Sequence, residues 1–123
     1  MQFITDRKRA TGRGSAHSGT EHHRYMQVSA VGLALIVPTF LYIFGSALGG
    51  GHAEVLEVFA RPIPAIVTGL MLVIGMQHFR KGMQVVFEDY TYHSTRKVGI
   101  MITTILSYGL TATGLFALAK IAL

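Results

Sequence analysis

The chain has 123 residues, 50% of them hydrophobic and only 14% charged, against about 25% charged in a soluble domain. A single domain of this length has no core large enough to hide that much apolar surface, so the surplus must face lipid or other subunits. With no cysteine, disulfides, iron–sulfur ligation by this chain, thiolate zinc sites and cysteine nucleophiles are excluded, and the net charge of +5 sits beside long apolar runs, which points to a membrane surface rather than to nucleic acid.

Residues 1–24 are polar and rich in Gly, Ser, Thr and His, and read as a loosely ordered arm. Three uncharged apolar stretches follow: Tyr25–Gly51, Pro62–Phe79 and Val98–Ala119. A bilayer core needs about 20 helical residues, and each stretch qualifies if the second runs on past His78. The expected architecture is an all-α membrane protein with transmembrane helices at about 25–48, 62–88 and 97–122. The punctuation agrees. Gly49-Gly50-Gly51 ends the first helix, and Pro62 and Pro64 open the second, where a missing N–H costs little. Pro38 falls inside the first helix and predicts a kink there. There is no tryptophan, so an interfacial aromatic belt has to use the tyrosines.

Orientation follows from Lys and Arg. The arm carries Arg7, Lys8, Arg9, Arg13 and Arg24, and the second connection carries Arg80, Lys81, Arg96 and Lys97. The other side has only Arg61 and Lys120. The positive-inside rule puts the N-terminus in the cytoplasm and the C-terminus outside. The first apolar run is too long for a signal-peptide core of about 7–15 residues and lies far from Arg7-Lys8-Arg9, so an uncleaved span is expected.

The second helix ends Gly75-Met76-Gln77-His78-Phe79-Arg80-Lys81-Gly82. A histidine in the membrane is expensive unless paired or ligating, and neutral imidazole is a common axial ligand of haem iron. Counted from Ile63, His78 lies roughly 22 Å along the helix, in the cytoplasmic third of the bilayer. Gly75 and Gly82 share its face. They leave space for a flat ligand or, equally, permit close helix packing, and His78 itself is open to a simple interhelical hydrogen bond. Asp89 is eleven residues on, on the same stripe if the helix continues, and Tyr90 follows it. A tyrosine hydroxyl beside a carboxylate suits donation to a quinone carbonyl; the alternative is an interfacial anchor beside solvated cap residues. Arg80 either snorkels to the interface or neutralises a haem propionate, and Lys81 reads as an ordinary interfacial cation. The Met residues read as packing. His17, His52 and His93 have no assignable partner.

The order H-x3-G-x6-D-Y at His78, Gly82, Asp89 and Tyr90, on three helices with a polar arm, resembles the smaller hydrophobic anchor subunit of succinate dehydrogenases. The segments Thr5–Gly12 and Ser18–His23 are similar to alphaproteobacterial versions. The resemblance covers nearly the whole chain. It implies a multi-pass subunit of the bacterial inner membrane. His78 would be one axial ligand of haem b, the other coming from a larger cytochrome b anchor subunit. Tyr90, with Asp89 beside it, would hydrogen-bond ubiquinone. An iron–sulfur subunit and a flavoprotein subunit would be the remaining partners, delivering electrons from succinate. One departure stands out: Gln27, in Gln27-Val28-Ser29-Ala30, occupies a position where such chains often carry arginine, leaving Arg24, His22 or His23 as substitutes. The rival readings are the anchor of a fumarate reductase or other b-type cytochrome, and a non-redox membrane scaffold or transporter. Against the last, the spans hold no pair of broken helices and no acidic residue at mid-bilayer.

Overall fold

A computed structural model describes residues 4–12 and 19–123. Arg13 and His17, which the sequence places in the polar arm, lie outside the described residues. The elements are α1 (Asp6–Thr11), α2 (Gly19–Ala47), α3 (His52–Ala60), α4 (Pro62–Tyr90) and α5 (His93–Ala122). All secondary structure among the described residues is helical. Helices α2, α4 and α5 are each long and apolar enough to cross a membrane. Their lengths of 29, 29 and 30 residues correspond to about 44 Å each at 1.5 Å per residue, the full bilayer with its headgroups.

Each helix begins and ends for a local reason. In α1, Thr5 caps the N-terminus by accepting from the Lys8 N–H at 3.3 Å. Helix α2 starts at Gly19 rather than at Tyr25. No breaker separates Thr20 from Tyr25, and Glu21 in the first turn complements the helix dipole. It runs through Pro38 unbroken, with the Thr39 hydroxyl donating to the Leu35 carbonyl at 2.8 Å on the turn the proline disturbs. It gives way at Gly49, whose φ of 92° is open to glycine at no steric cost. Helix α4 carries Pro62 in its first turn, as expected.

Helix α3 was hidden in the first connection. Val55, Val58 and Phe59 are its half-buried residues, spaced i, i+3, i+4, while Glu54 and Glu57 face outward. An exposed Glu57–Arg61 pair at 2.7 Å closes its last turn.

Helix α4 is the centre of the bundle, packing antiparallel against α2 on one side and α5 on the other, with α3 across the ends of all three. Small residues set both seams, as is usual where lipid supplies no hydrophobic drive for helices to associate. Against α2, Gly82 meets Met26 and Gly75 meets Leu33. Against α5, Gly69 meets Leu115 and Leu118, Leu72 meets Gly114, and the Phe87 ring lies on Gly99. Buried residues among those described are Ser29, Ile43, Ala47, Thr103 and Ser107. The large apolar side chains Val31, Leu35, Tyr42, Ile63, Ile105 and Phe116 are all exposed. Such a surface needs lipid or neighbouring subunits around it.

Candidate functional site

The register of α2 against α4 brings Ser29 and His78 together. Ser29 Oγ lies 2.8 Å from His78 Nδ1. Ser29 itself is only 6% exposed, and its Oγ donates to the Tyr25 carbonyl at 2.7 Å, with the Met26 carbonyl also within reach at 3.2 Å. His78 is half-buried. With Nδ1 engaged, Nε2 is the ring nitrogen left for a ligand. Among the described residues no three His, Cys, Asp or Glu side chains gather as a metal site. A single imidazole suits a metal whose other ligands come from a macrocycle and a second subunit.

The two glycines beside His78 differ: Gly82 sits only in the α2–α4 seam, whereas Gly75 also borders an apolar cavity of about 280 Å³ shared with Phe40, Met71, Met76 and Phe79. Gly75 and Gly82 face α2, where Leu33 and Met26 stand over them at 4.0 and 3.8 Å from where a Cβ would be. Close helix packing is what Gly82 shows, and Gly75 combines it with open space in the seam. On α2, Gly32 is open too, with nothing within 4 Å of an added Cβ. Together with Ser29, Tyr25 and Val28 on α2 and Ile74 on α4, it lines an apolar groove of about 260 Å³. Ile74 is one turn before His78, so this groove and the imidazole share one stretch of the α2–α4 seam. The partner of His78 is Ser29, whose only signal in the sequence is a small polar residue inside an otherwise apolar span.

The two cations after His78 part company. Lys81 is three residues on and shares the His78 face, where its Nζ sits 4.7 Å from the centre of the Tyr25 ring. Arg80 is two residues on, roughly 200° around the helix. It lies over the Tyr108 ring of α5 at 5.4 Å and donates to Gln77 Oε1 at 3.1 Å.

Helix α4 continues without interruption to Tyr90, so Asp89 keeps the stripe of His78 roughly 16 Å further along, and Tyr90 lies about 120° away from it. Both are exposed, Tyr90 at 80%. The reversal into α5 takes only Thr91 and Tyr92, and His93 adopts a φ of 48° to complete it. The last carbonyls of α4 are satisfied locally. Thr91 donates to Phe87 O at 2.6 Å, and the Arg96 guanidinium donates to Glu88 O at 2.8 Å and to Thr91 O at 3.0 and 3.1 Å. Arg96, an interfacial charge by its place in the sequence, is thus also a helix cap. The antiparallel packing gathers Arg24, Lys81, Arg96, Asp89 and Tyr90 at one end of the bundle, while His52 and Arg61 lie at the other.

The succinate dehydrogenase/fumarate reductase transmembrane subunit family matches residues 1–116. The chain belongs to this family. It is 42% identical to the succinate dehydrogenase hydrophobic membrane anchor subunit of Paracoccus denitrificans, over 100% of this chain and 95% of that one. It is 31% identical to the subunit of the same name from Rickettsia conorii, over 81% of each chain. No solved structure matches. As a membrane anchor subunit of this family, the chain supplies three membrane-length apolar helices, and Glu88, Asp89 and Tyr90 are exposed where α4 ends.

Proposed function

We propose that this anchor subunit ligates haem b through His78 and lends Tyr90 to the ubiquinone site of a succinate:ubiquinone oxidoreductase in the bacterial inner membrane. The observation that carries the reading is the pairing of His78 Nδ1 with the buried Ser29 hydroxyl, since an imidazole held through one nitrogen presents the other as a ligand. His78 Nε2 would hold haem b together with a ligand from the larger cytochrome b anchor, and the group would supply a one-electron centre there. The N-terminus is read as cytoplasmic by the positive-inside rule, with Arg24 near the start of α2 and Arg96 and Lys97 after the α4–α5 turn at the same end of the bundle.

Tyr90 donates from an exposed position at the end of α4, and Asp89 beside it has free access to water for the two protons that quinone reduction consumes. The exposed end of the bundle is the docking face for the iron–sulfur subunit, which with the flavoprotein brings electrons from succinate. Both cations rest on a tyrosine ring, Lys81 on Tyr25 and Arg80 on Tyr108, and for a haem propionate Lys81 is the better placed by direction, because it shares the His78 face while Arg80 lies roughly 200° around the helix. Both named relatives are succinate dehydrogenase subunits, which favours succinate oxidation over fumarate reduction.

The test uses the assembled complex extracted in mild detergent. His78→Ala abolishes or alters the reduced-minus-oxidised b-type spectrum. Tyr90→Phe keeps haem and assembly but lowers succinate-driven ubiquinone reduction. An unaltered spectrum in the first variant at full subunit occupancy removes His78 as a ligand; unaltered turnover and quinone affinity in the second leaves Tyr90 as an anchor only.

A further inference from the structure

We infer that Ser29 is the positioning residue for His78, holding its ring in the tautomer that carries the proton on Nδ1 and the lone pair on Nε2. The inference rests on the haem reading of His78 and deepens it. A serine hydroxyl has one proton to give and lone pairs to receive with. Here the proton is committed. Ser29 Oγ is 2.7 Å from the Tyr25 carbonyl and 3.2 Å from that of Met26, and carbonyls only accept. The 2.8 Å approach of His78 Nδ1 then needs its proton from the ring, so Nδ1–H donates to Oγ. A neutral imidazole has a single N–H, and Nε2 is left bare. Ser29 is 94% buried by the chain itself, being 6% exposed, so water does not compete for either bond.

The arrangement is built by ordinary local rules. Back-donation from a serine to the carbonyl four residues earlier is a habit of this side chain inside helices. It leaves the oxygen facing α4 with acceptor capacity only. The preceding turn of α2 carries Tyr25, whose ring holds Lys81 one turn beyond His78, so α2 grips the ligand-bearing face of α4 at two successive turns. A hydroxyl is also a weak acceptor compared with a carboxylate. It orients the imidazole and raises its basicity modestly, without adding a buried charge to the site.

The experiment measures haem content per assembled complex and the haem midpoint potential in Ser29→Ala, Ser29→Cys and Ser29→Thr, with His78→Ala alongside. Loss of the acceptor weakens haem retention by about 10–100-fold, the usual effect of removing a ligand's hydrogen-bond partner. It also raises the potential of what remains, because a less basic imidazole favours the oxidised iron less. Cysteine nearly keeps the serine's volume but is a poor acceptor, so Ser29→Cys follows Ser29→Ala, whereas Ser29→Thr keeps the hydroxyl and restores both readouts. Wild-type haem content and potential in both Ala and Cys variants overturn the inference, leaving Ser29 a small packing residue. Should His78→Ala itself retain the native spectrum, the haem reading fails, and the inference with it.

Discussion

The Arg96 guanidinium on α5 closes the C-terminal end of α4, donating to the main-chain carbonyl of Glu88 across 2.8 Å and to that of Thr91 through two nitrogens. Those carbonyls have no partner within their own helix, and they flank Asp89 and Tyr90. Arg96→Ala is expected to destabilise the assembled complex by about 1–2 kcal/mol, in the lower part of the range for hydrogen bonds to a charged group because Arg96 is only half-buried. Ubiquinone reduction should fall while the haem spectrum holds, since His78 lies roughly 16 Å away along α4. Thermal unfolding and turnover of the same preparation check this; a variant with native stability and native turnover refutes the capping role.

Gly99 is fitted to the Phe87 ring. A Cβ at Gly99 would come within 2.6–2.8 Å of three ring atoms, closer than real contacts allow. Gly99→Ala should cost about 1–3 kcal/mol by overpacking the α4–α5 seam, and the double variant with Phe87→Leu should recover much of that loss. Equal stability of the single and double variants in a thermal melt would show that the ring is not the obstacle.

The division of labour between Lys81 and Arg80 is testable by potential. On the haem reading of His78, removing a cation that faces a propionate would favour the oxidised iron, so Lys81→Ala should lower the haem midpoint by on the order of tens of mV, where about 59 mV is a tenfold change in a one-electron equilibrium. Arg80→Ala, whose guanidinium rests on Tyr108, should move it less. Redox titration of both variants decides, and the reverse order would return the propionate to Arg80.

Ser107 is fully buried, and its hydroxyl has no hydrogen-bond partner among the described residues. An unpaired buried hydroxyl is a cost rather than a gain. Ser107→Ala removes the oxygen with little change in volume and is expected to leave the complex equally stable or more stable by about 1 kcal/mol. A clear loss of stability on a thermal melt would mean that the hydroxyl has a partner after all.

Much of the architecture was legible because lipid imposes simple rules. A run of uncharged residues about as long as the bilayer is thick has to be a helix, and so three spans could be read directly. Helix ends were harder. Gly19–Arg24 and His93–Lys97 are polar, yet helical, because hydrogen bonding continues along a chain past the point where hydropathy stops. Helix α3 escaped notice because nine residues are too few for its Val55, Val58, Phe59 pattern to stand out.

The sequence by itself determined the class of the molecule and the chemistry available to it. Apolar length dictated the spans, the absence of cysteine removed whole families of cofactors, and His78 and Asp89 were visible as polar residues at helical spacing, with Tyr90 next to them in sequence. Only the tertiary structure decided which neighbours those residues have. Pairing across helices depends on the register of two elements 49 residues apart for Ser29 and His78, and no local periodicity encodes it. The register comes from where small residues let backbones approach, and it set the Ser29 hydroxyl on His78, turned Lys81 to α2 and Arg80 to α5, and folded Arg96 back onto the end of α4.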